Sequence, residues 1–372
     1  MISELDEINI KNSSSGSNKR AKILTLKNRV EWGAYLNRLP LLMQDSYYTP
    51  EYYEIYEKNG DGSARCFVYE DHNDIALYPF LLSSVNNLGY NLDKDYYDIC
   101  GAYGYNGVLY SSDSPVFKQS FYKHFLIFCE AHNIIAEFTR FNPLSGNHVF
   151  SDNALDISFN RKTVYVDLTQ GIETIQNNYS HSTKGNIKKA EKNNLKVAIY
   201  KNELPYKKEF IKMYKETMDR VNAQRYVYFS DSYFEATFRS LPVVQFIVFK
   251  ESTPIASAIC LLSKNILHVH FEVSKTEYQI YRPNDFLFDE IIKFGINEGY
   301  KILHMGGGRT LNEDDSLLRF KKNFSDTTTN FYTGNKIHNQ EVYIQVCEQW
   351  RIKYPHLVQK YDDKLLKYRF LD

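Results

Sequence analysis

Three polar residues alternate with apolar ones in Leu267-His268-Val269-His270-Phe271-Glu272-Val273. In an extended chain this spacing puts His268, His270 and Glu272 on one side. An imidazole and a carboxylate there suit general-base chemistry, so His270 or Glu272 is expected to accept a proton, directly or through water. The polar outer face of a half-buried strand gives the same pattern. His-x-His also suits a metal, but catalytic zinc takes a third protein ligand. His304 is the one nearby candidate, and no metal is expected.

A second chemistry-bearing pattern is basic. Lys184, Lys188 and Lys192 recur every four residues, with Lys189, Lys196 and Lys201 close by. On a helix they make a stripe of positive charge. The stripe suits the phosphates of a sugar-nucleotide diphosphate or of a tRNA acceptor end; a solvated helix face would look the same. Arg309 follows Gly306-Gly307-Gly308, a turn that lets the backbone approach a ligand closely. Gly101-x-x-Gly104-x-x-Gly107 lacks the G-x-G start of a dinucleotide fingerprint, which leaves Tyr103 and Tyr105 as expected cleft walls.

Other chemistries find no footing. The chain has no G-x-S-x-G elbow and no P-loop, and Cys260 sits within an apolar strand pattern as core. The five cysteines are odd in number with no C-x-x-C, so neither a disulfide framework nor a zinc ribbon is supported, and a reducing cytoplasm is the expected home. Lys+Arg and Asp+Glu are both 45, which argues against a long nucleic-acid track but allows a local basic site. No apolar run reaches the ~20 residues of a membrane span; peripheral membrane contact stays open.

The elements that must hold these residues are clearest between Val243 and Gly308. Apolar runs at Val243–Phe249, Ile255–Leu262 and Ile266–Val273, joined by short polar turns, predict an antiparallel meander. Asn284 is placed to cap a helix through Ile296, with Gly299 just past its end. Lys301–Met305 reads as a further strand. The first half repeats this order. Phe67–Ser83 aligns without gaps on Ile247–Ser263 at an offset of 180, with 6 of 17 positions identical, and Pro115–Ala131 and Ile134–Phe141 follow as helix and strand. Between these stretches come a strand at Thr163–Leu168, helices at Ile172–Tyr179 and Ser182–Asn193, a strand at Leu195–Tyr200 and an amphipathic helix at Glu203–Arg220. A last strand is expected at Asn330–Thr333. Asn12 to Asn18 is polar and small, so residues 1–20 are expected as a flexible tail.

A mixed lobe of this order resembles the GNAT acyltransferase fold. Two in one chain resemble the Fem-type aminoacyltransferases, which build peptidoglycan bridges, and their BioF-like relatives. The similar residues are Arg282-Pro283-Asn284-Asp285-Phe286-Leu287, Leu303-His304-Met305-Gly306-Gly307-Gly308-Arg309 and Leu317-Leu318-Arg319-Phe320-Lys321-Lys322-Asn323-Phe324. Ser182–Ala190 and Tyr103–Gly107 are similar to a basic helix and a Gly/Tyr turn of that family.

The resemblance implies an α/β (α+β mixed sheet) fold of tandem GNAT-like lobes. One lobe would span 21–160 plus 331–372 and the other 161–330. It implies transfer of an acyl or aminoacyl group to an amine of a phosphate-bearing envelope or glycan precursor. Lys321 would neutralise the developing oxyanion, His270 or Glu272 would take the proton, and Lys184, Lys188, Tyr103, Tyr105, Arg282 and Arg309 would hold substrate. No tightly bound cofactor is implied; the donor is a co-substrate, aminoacyl-tRNA or acyl-CoA. The CoA loop of GNAT enzymes should lie near Gln279–Asp285, where this chain has no glycine, and that favours the aminoacyl donor. A CoA-dependent N-acetyltransferase of an amino sugar and a non-catalytic pair that binds a nucleotide sugar or a protein are the alternatives.

Overall fold

The computed structural model describes residues 19–223 and 227–371. Most of the expected tail lies outside them; its last two residues, Lys19 and Arg20, are not tail but the start of a strand. The chain forms two compact units, 1–160 with 331–372, and 161–330.

The first unit begins with β1 (Lys19–Leu24), α1 (Arg29–Leu36), α2 (Pro50–Asn59) and the hairpin β2 (Ser63–Asp71) and β3 (Asp74–Ser84). Next come β4 (Tyr97–Cys100), β5 (Leu109–Tyr110), α3 (Pro115–Ala131) and β6 (Ile134–Arg140). The chain then runs along β7 (Asp156–Asp167) into the second unit.

That unit holds α4 (Ile172–Asn178), α5 (His181–Lys192), β8 (Leu195–Tyr200), α6 (Lys207–Arg220) and α7 (Asp231–Ser240). The meander β9 (Val243–Lys250), β10 (Thr253–Leu262) and β11 (Ile266–Ser274) leads into α8 (Pro283–Asn297), β12 (Ile302–Gly307) and α9 (Ser316–Lys322). Through β13 (Thr328–Ile337) the chain returns to the first unit and ends in α10 (Gln340–Lys353) and α11 (Pro355–Tyr361).

The two sheets have one plan. In the first unit the order is β1-β2-β3-β4-β6-β13, with β5 paired to β3; in the second it is β8-β9-β10-β11-β12-β7. In both, the first three pairings are antiparallel, the fourth is parallel and the last antiparallel. A parallel pair needs a crossover, and α3 and α8 supply it. Both are apolar on the buried side: Phe117, Phe121, Phe125 and Phe128 pack on the first sheet, and Leu287, Phe288, Ile291 and Ile292 on the second. The mixed α/β fold of two like lobes is thus as expected.

Three local expectations are corrected. α8 is capped not by Asn284 but by Arg282, at φ 61° and ψ 44°, with Pro283 at the first helical position. The preset φ of proline opens the helix there. The amphipathic helix begins at Lys207, four residues late, because Pro205 just precedes it. The third concerns β11. It carries a bulge, for Cys260 faces Val269 while the adjacent Ile259 faces Phe271. The extra residue is His270, and it breaks the alternation. Leu267 and Val269 lie against the α8 core, whereas Phe271 turns to Phe210, Tyr214 and Phe234 of α6 and α7. His268, His270 and Glu272 therefore do not share one side, and His268 and His270 are buried rather than on a solvated face.

Candidate active site in the second unit

The parallel pairing of β11 and β12 lasts three residues, Ile266–His268 against Ile302–His304. β11 then continues to Ser274 and β12 to Gly307 with no ladder between them. A split in a sheet bares backbone polar groups that must find a partner, which makes it a natural place for a ligand. The corresponding split in the first unit is filled. After β4 the chain doubles back, and Asn106 donates its backbone N–H to Arg140 O at 2.6 Å. Asn106 Oδ1 accepts from Arg140 N at 2.7 Å and Thr139 Oγ1 at 2.6 Å. Gly101 makes room for this plug, since a Cβ there would lie 2.2 Å from the Asn106 amide.

Two of the residues singled out in the sequence, Lys321 and Glu272, flank the open split. Lys321, 7% exposed, reaches back from α9, and its Nζ donates to Gly307 O at 3.0 Å. The helix is held for this by Leu318, Phe320 and Phe324 in the α8 core. Glu272 stands on β11 past the bulge. Its Oε2 is buried and has no hydrogen-bond partner among the described residues. The two charges act on each other: burial lifts the Glu272 carboxyl above its ordinary range and Lys321 offsets part of the rise. Burial depresses the Lys321 ammonium, opposed by Glu272 and Asp315. His270 is pushed down to about 3 by burial and by His268, so it is neutral at pH 7 and a poor proton acceptor. Of the two expected bases, Glu272 is the one whose proton affinity burial raises.

His268 and His304 close the last rung before the split, Nδ1 to Nδ1 at 3.2 Å, and His304 Nε2 meets Thr163 Oγ1 at 3.2 Å. Among the described residues no cluster of His, Cys, Asp and Glu could hold a metal.

The basic residues lie around this unit. Arg282 caps α8. Arg309 follows β12, its guanidinium donating to Ser316 Oγ at 3.0 Å. Lys184 donates to Asn177 O at 2.7 Å, and Lys188 is exposed on α5. Tyr103 and Tyr105 belong to the first unit. Tyr52 donates to Tyr103 O at 2.5 Å, and the Tyr105 ring meets Tyr47 edge-on at 5.2 Å and Phe331 at 5.5 Å.

Sequence reasoning missed Asp285 and Asp315. Asp285, 7% exposed at the start of α8, accepts from Asn186 Nδ2 at 3.1 Å, and burial raises its pKa. Asp315 caps α9, and an Asp three residues before the apolar Leu318 was a readable cap signal.

Residues 183–322 match the family model described as an acetyltransferase (GNAT) domain. No curated protein matches the chain. Among solved structures, FemX aligns at 13% identity over 87% of this chain and 98% of its own, with a TM-score of 0.64. The C-terminal domain of a putative lysylphosphatidylglycerol synthetase from Agrobacterium fabrum aligns at 12% over 90% and 97%, TM-score 0.52. A tandem GNAT protein from the clavulanic acid biosynthesis pathway aligns at 8% over 87% and 99%, TM-score 0.50. The second unit therefore contains the stretch that matches a GNAT domain model, and the chain shares its fold with FemX and with a tandem GNAT protein.

Proposed function

We propose that the protein transfers an aminoacyl or acyl group to an amine on a phosphate-bearing envelope or glycan precursor, with an aminoacyl ester of the tRNA type as donor. One observation carries the reading. A carboxylate oxygen, Glu272 Oε2, is buried without a partner in an open sheet split beside a buried ammonium. Such an oxygen costs stability until it meets a donor, and an attacking amine is a donor. The nitrogen attacks the ester carbonyl and the new C–N bond forms. Glu272 takes the released proton, Lys321 neutralises the negative carbonyl oxygen, and the carbon–oxygen bond to the carrier breaks as Glu272 returns that proton to the departing oxygen, which leaves as a hydroxyl.

The start of α8 favours this donor over acyl-CoA. A pyrophosphate seeks free N–H groups and a positive helix end. Here Pro283 offers no N–H, the Asp285 N–H turns to its own carboxylate, and that carboxylate sits where the anion would. FemX and a lysylphosphatidylglycerol synthetase domain as structural neighbours support an envelope acceptor, and the α5 lysines suit its phosphates or the acceptor end of a tRNA. No membrane-spanning helix is present among the described residues, and a cytoplasmic enzyme meeting the membrane from its surface fits the reading.

The test is incubation of the purified chain with aminoacyl-tRNA or acyl-CoA and a sugar-nucleotide peptide acceptor, with products read by mass spectrometry. An amide formed from aminoacyl-tRNA and lost in Glu272→Gln is expected. Product from acyl-CoA alone would establish the rival reading. Tight acceptor binding with no product from any donor would establish a non-catalytic pair.

A further inference from the structure

The loop between β12 and α9 is folded around one carboxylate. Asp315, 7% exposed, accepts through Oδ2 from Arg309 N, Thr310 N and Thr310 Oγ1, each at 3.1 Å. Its Oδ1 accepts from Leu317 N at 2.9 Å and Leu318 N at 3.0 Å. An ionised carboxylate offers about four lone-pair positions, so these five donors fill it. A Cβ on Gly308 would lie 2.6 Å from Oδ1, so the last glycine of the turn leaves the space that Asp315 occupies. Arg161 fixes the same turn by donating to Gly308 O at 2.8 Å.

Each oxygen does a separate task. Oδ1 caps α9 and sets the rotation at which the helix starts. Oδ2 ties that start to the end of β12. Lys321 sits in the last turn of this seven-residue helix, and its ammonium must land on Gly307 O of the same strand end. An error in either joint would move Nζ away from the split.

We propose that Asp315 is a positioning residue for Lys321, joining α9 to the glycine turn and supplying a fixed negative charge behind the ammonium. The proposal rests on the reading that Lys321 faces the reacting carbonyl. The charged groups that act on Lys321 are Glu272 on β11 and Asp315 itself; β12 presents the Gly307 carbonyl. Glu272 has a buried oxygen open to an incoming donor, whereas Asp315 is saturated by backbone and hydroxyl donors. Asp315 is thus the partner whose charge stays constant while a proton moves through the site.

The test needs no substrate. The full chain is labelled with 13C at the lysine ε-carbon, and Lys321 is assigned by the signal lost in Lys321→Arg. Its titration is followed in the parent and in two variants. Asp315→Asn keeps the shape but loses the charge. Asp315→Ser, itself a good cap, keeps the helix start. The expected result is a Lys321 midpoint about one pH unit lower in both variants. An unmoved midpoint in either variant, with circular dichroism showing a folded chain, overturns the proposal. If Lys321→Ala retains full transfer activity, the functional reading fails while the titration still decides what Asp315 does.

Discussion

Glu272 and Lys321 are each strained toward neutrality by burial, and the strain has a measurable sign. A carboxyl whose pKa is raised on folding holds its proton more tightly in the folded state. Stability is then full below the unfolded value, about 4.3, and falls as pH climbs through the folded one. Glu272→Gln should flatten the fall in melting temperature as pH rises while losing about 10²-fold or more in transfer rate. An unchanged pH dependence of melting with intact activity would remove Glu272 from the mechanism. Lys321 predicts the opposite limb. Its depressed pKa should make activity fall on the alkaline side at a pH below the ordinary lysine value. Lys321→Arg, charged at all accessible pH, should flatten that limb, as a pH–rate profile would record. At this scale the sequence is only partly legible. Leu267–Val273 reads as a regular strand because nothing in its residue types encodes the extra residue at His270. The unpartnered oxygen of Glu272 depends on how far β12 runs alongside, a fact about a strand thirty residues away.

The elements were more readable, because hairpins, breakers and apolar faces are local. The helix Pro115–Ala131 and the strand Ile134–Arg140 follow from such signals. What stayed hidden is buried polar wiring between distant elements. Glu137 on β6, fully buried, accepts from Tyr78 of β3 at 2.7 Å and meets His338, just past β13, at 2.8 Å. Removing one partner of such a buried hydrogen bond leaves the other unsatisfied, at about 1–3 kcal/mol. His338→Ala should lower the urea midpoint of the first unit accordingly. Both tryptophans, Trp32 and Trp350, lie in that unit, so their emission reports on it alone. An unchanged midpoint would show the pair to be idle. The start of α8 carries another expectation. Ligands that bind the folded chain raise its melting point by mass action. CoA at 1 mM should leave it unmoved, and a clear rise would reinstate the CoA donor.

In the whole molecule, six identities at an offset of 180 pointed to two like lobes, and the matching strand order of the two sheets is the stronger form of that likeness. Sequence similarity fades while the hairpin–crossover plan persists, since the plan depends on patterning and not on particular side chains. The two lobes have diverged at the split: Asn106 fills one, and Glu272 and Lys321 flank the other. The first unit is also interrupted, for its last strand, β13, arrives only after the 170 residues 161–330. A fragment ending at residue 330 should lose the cooperative tryptophan transition of the first unit. A ribosome adding ~5–20 residues per second takes about 10–30 s to bridge that gap. During this interval the nascent β6 has a bare edge, of the kind that recruits foreign strands. The later-made half can therefore finish folding before the earlier one, and the yield of protein in a cell will depend on what shelters that edge until translation is complete.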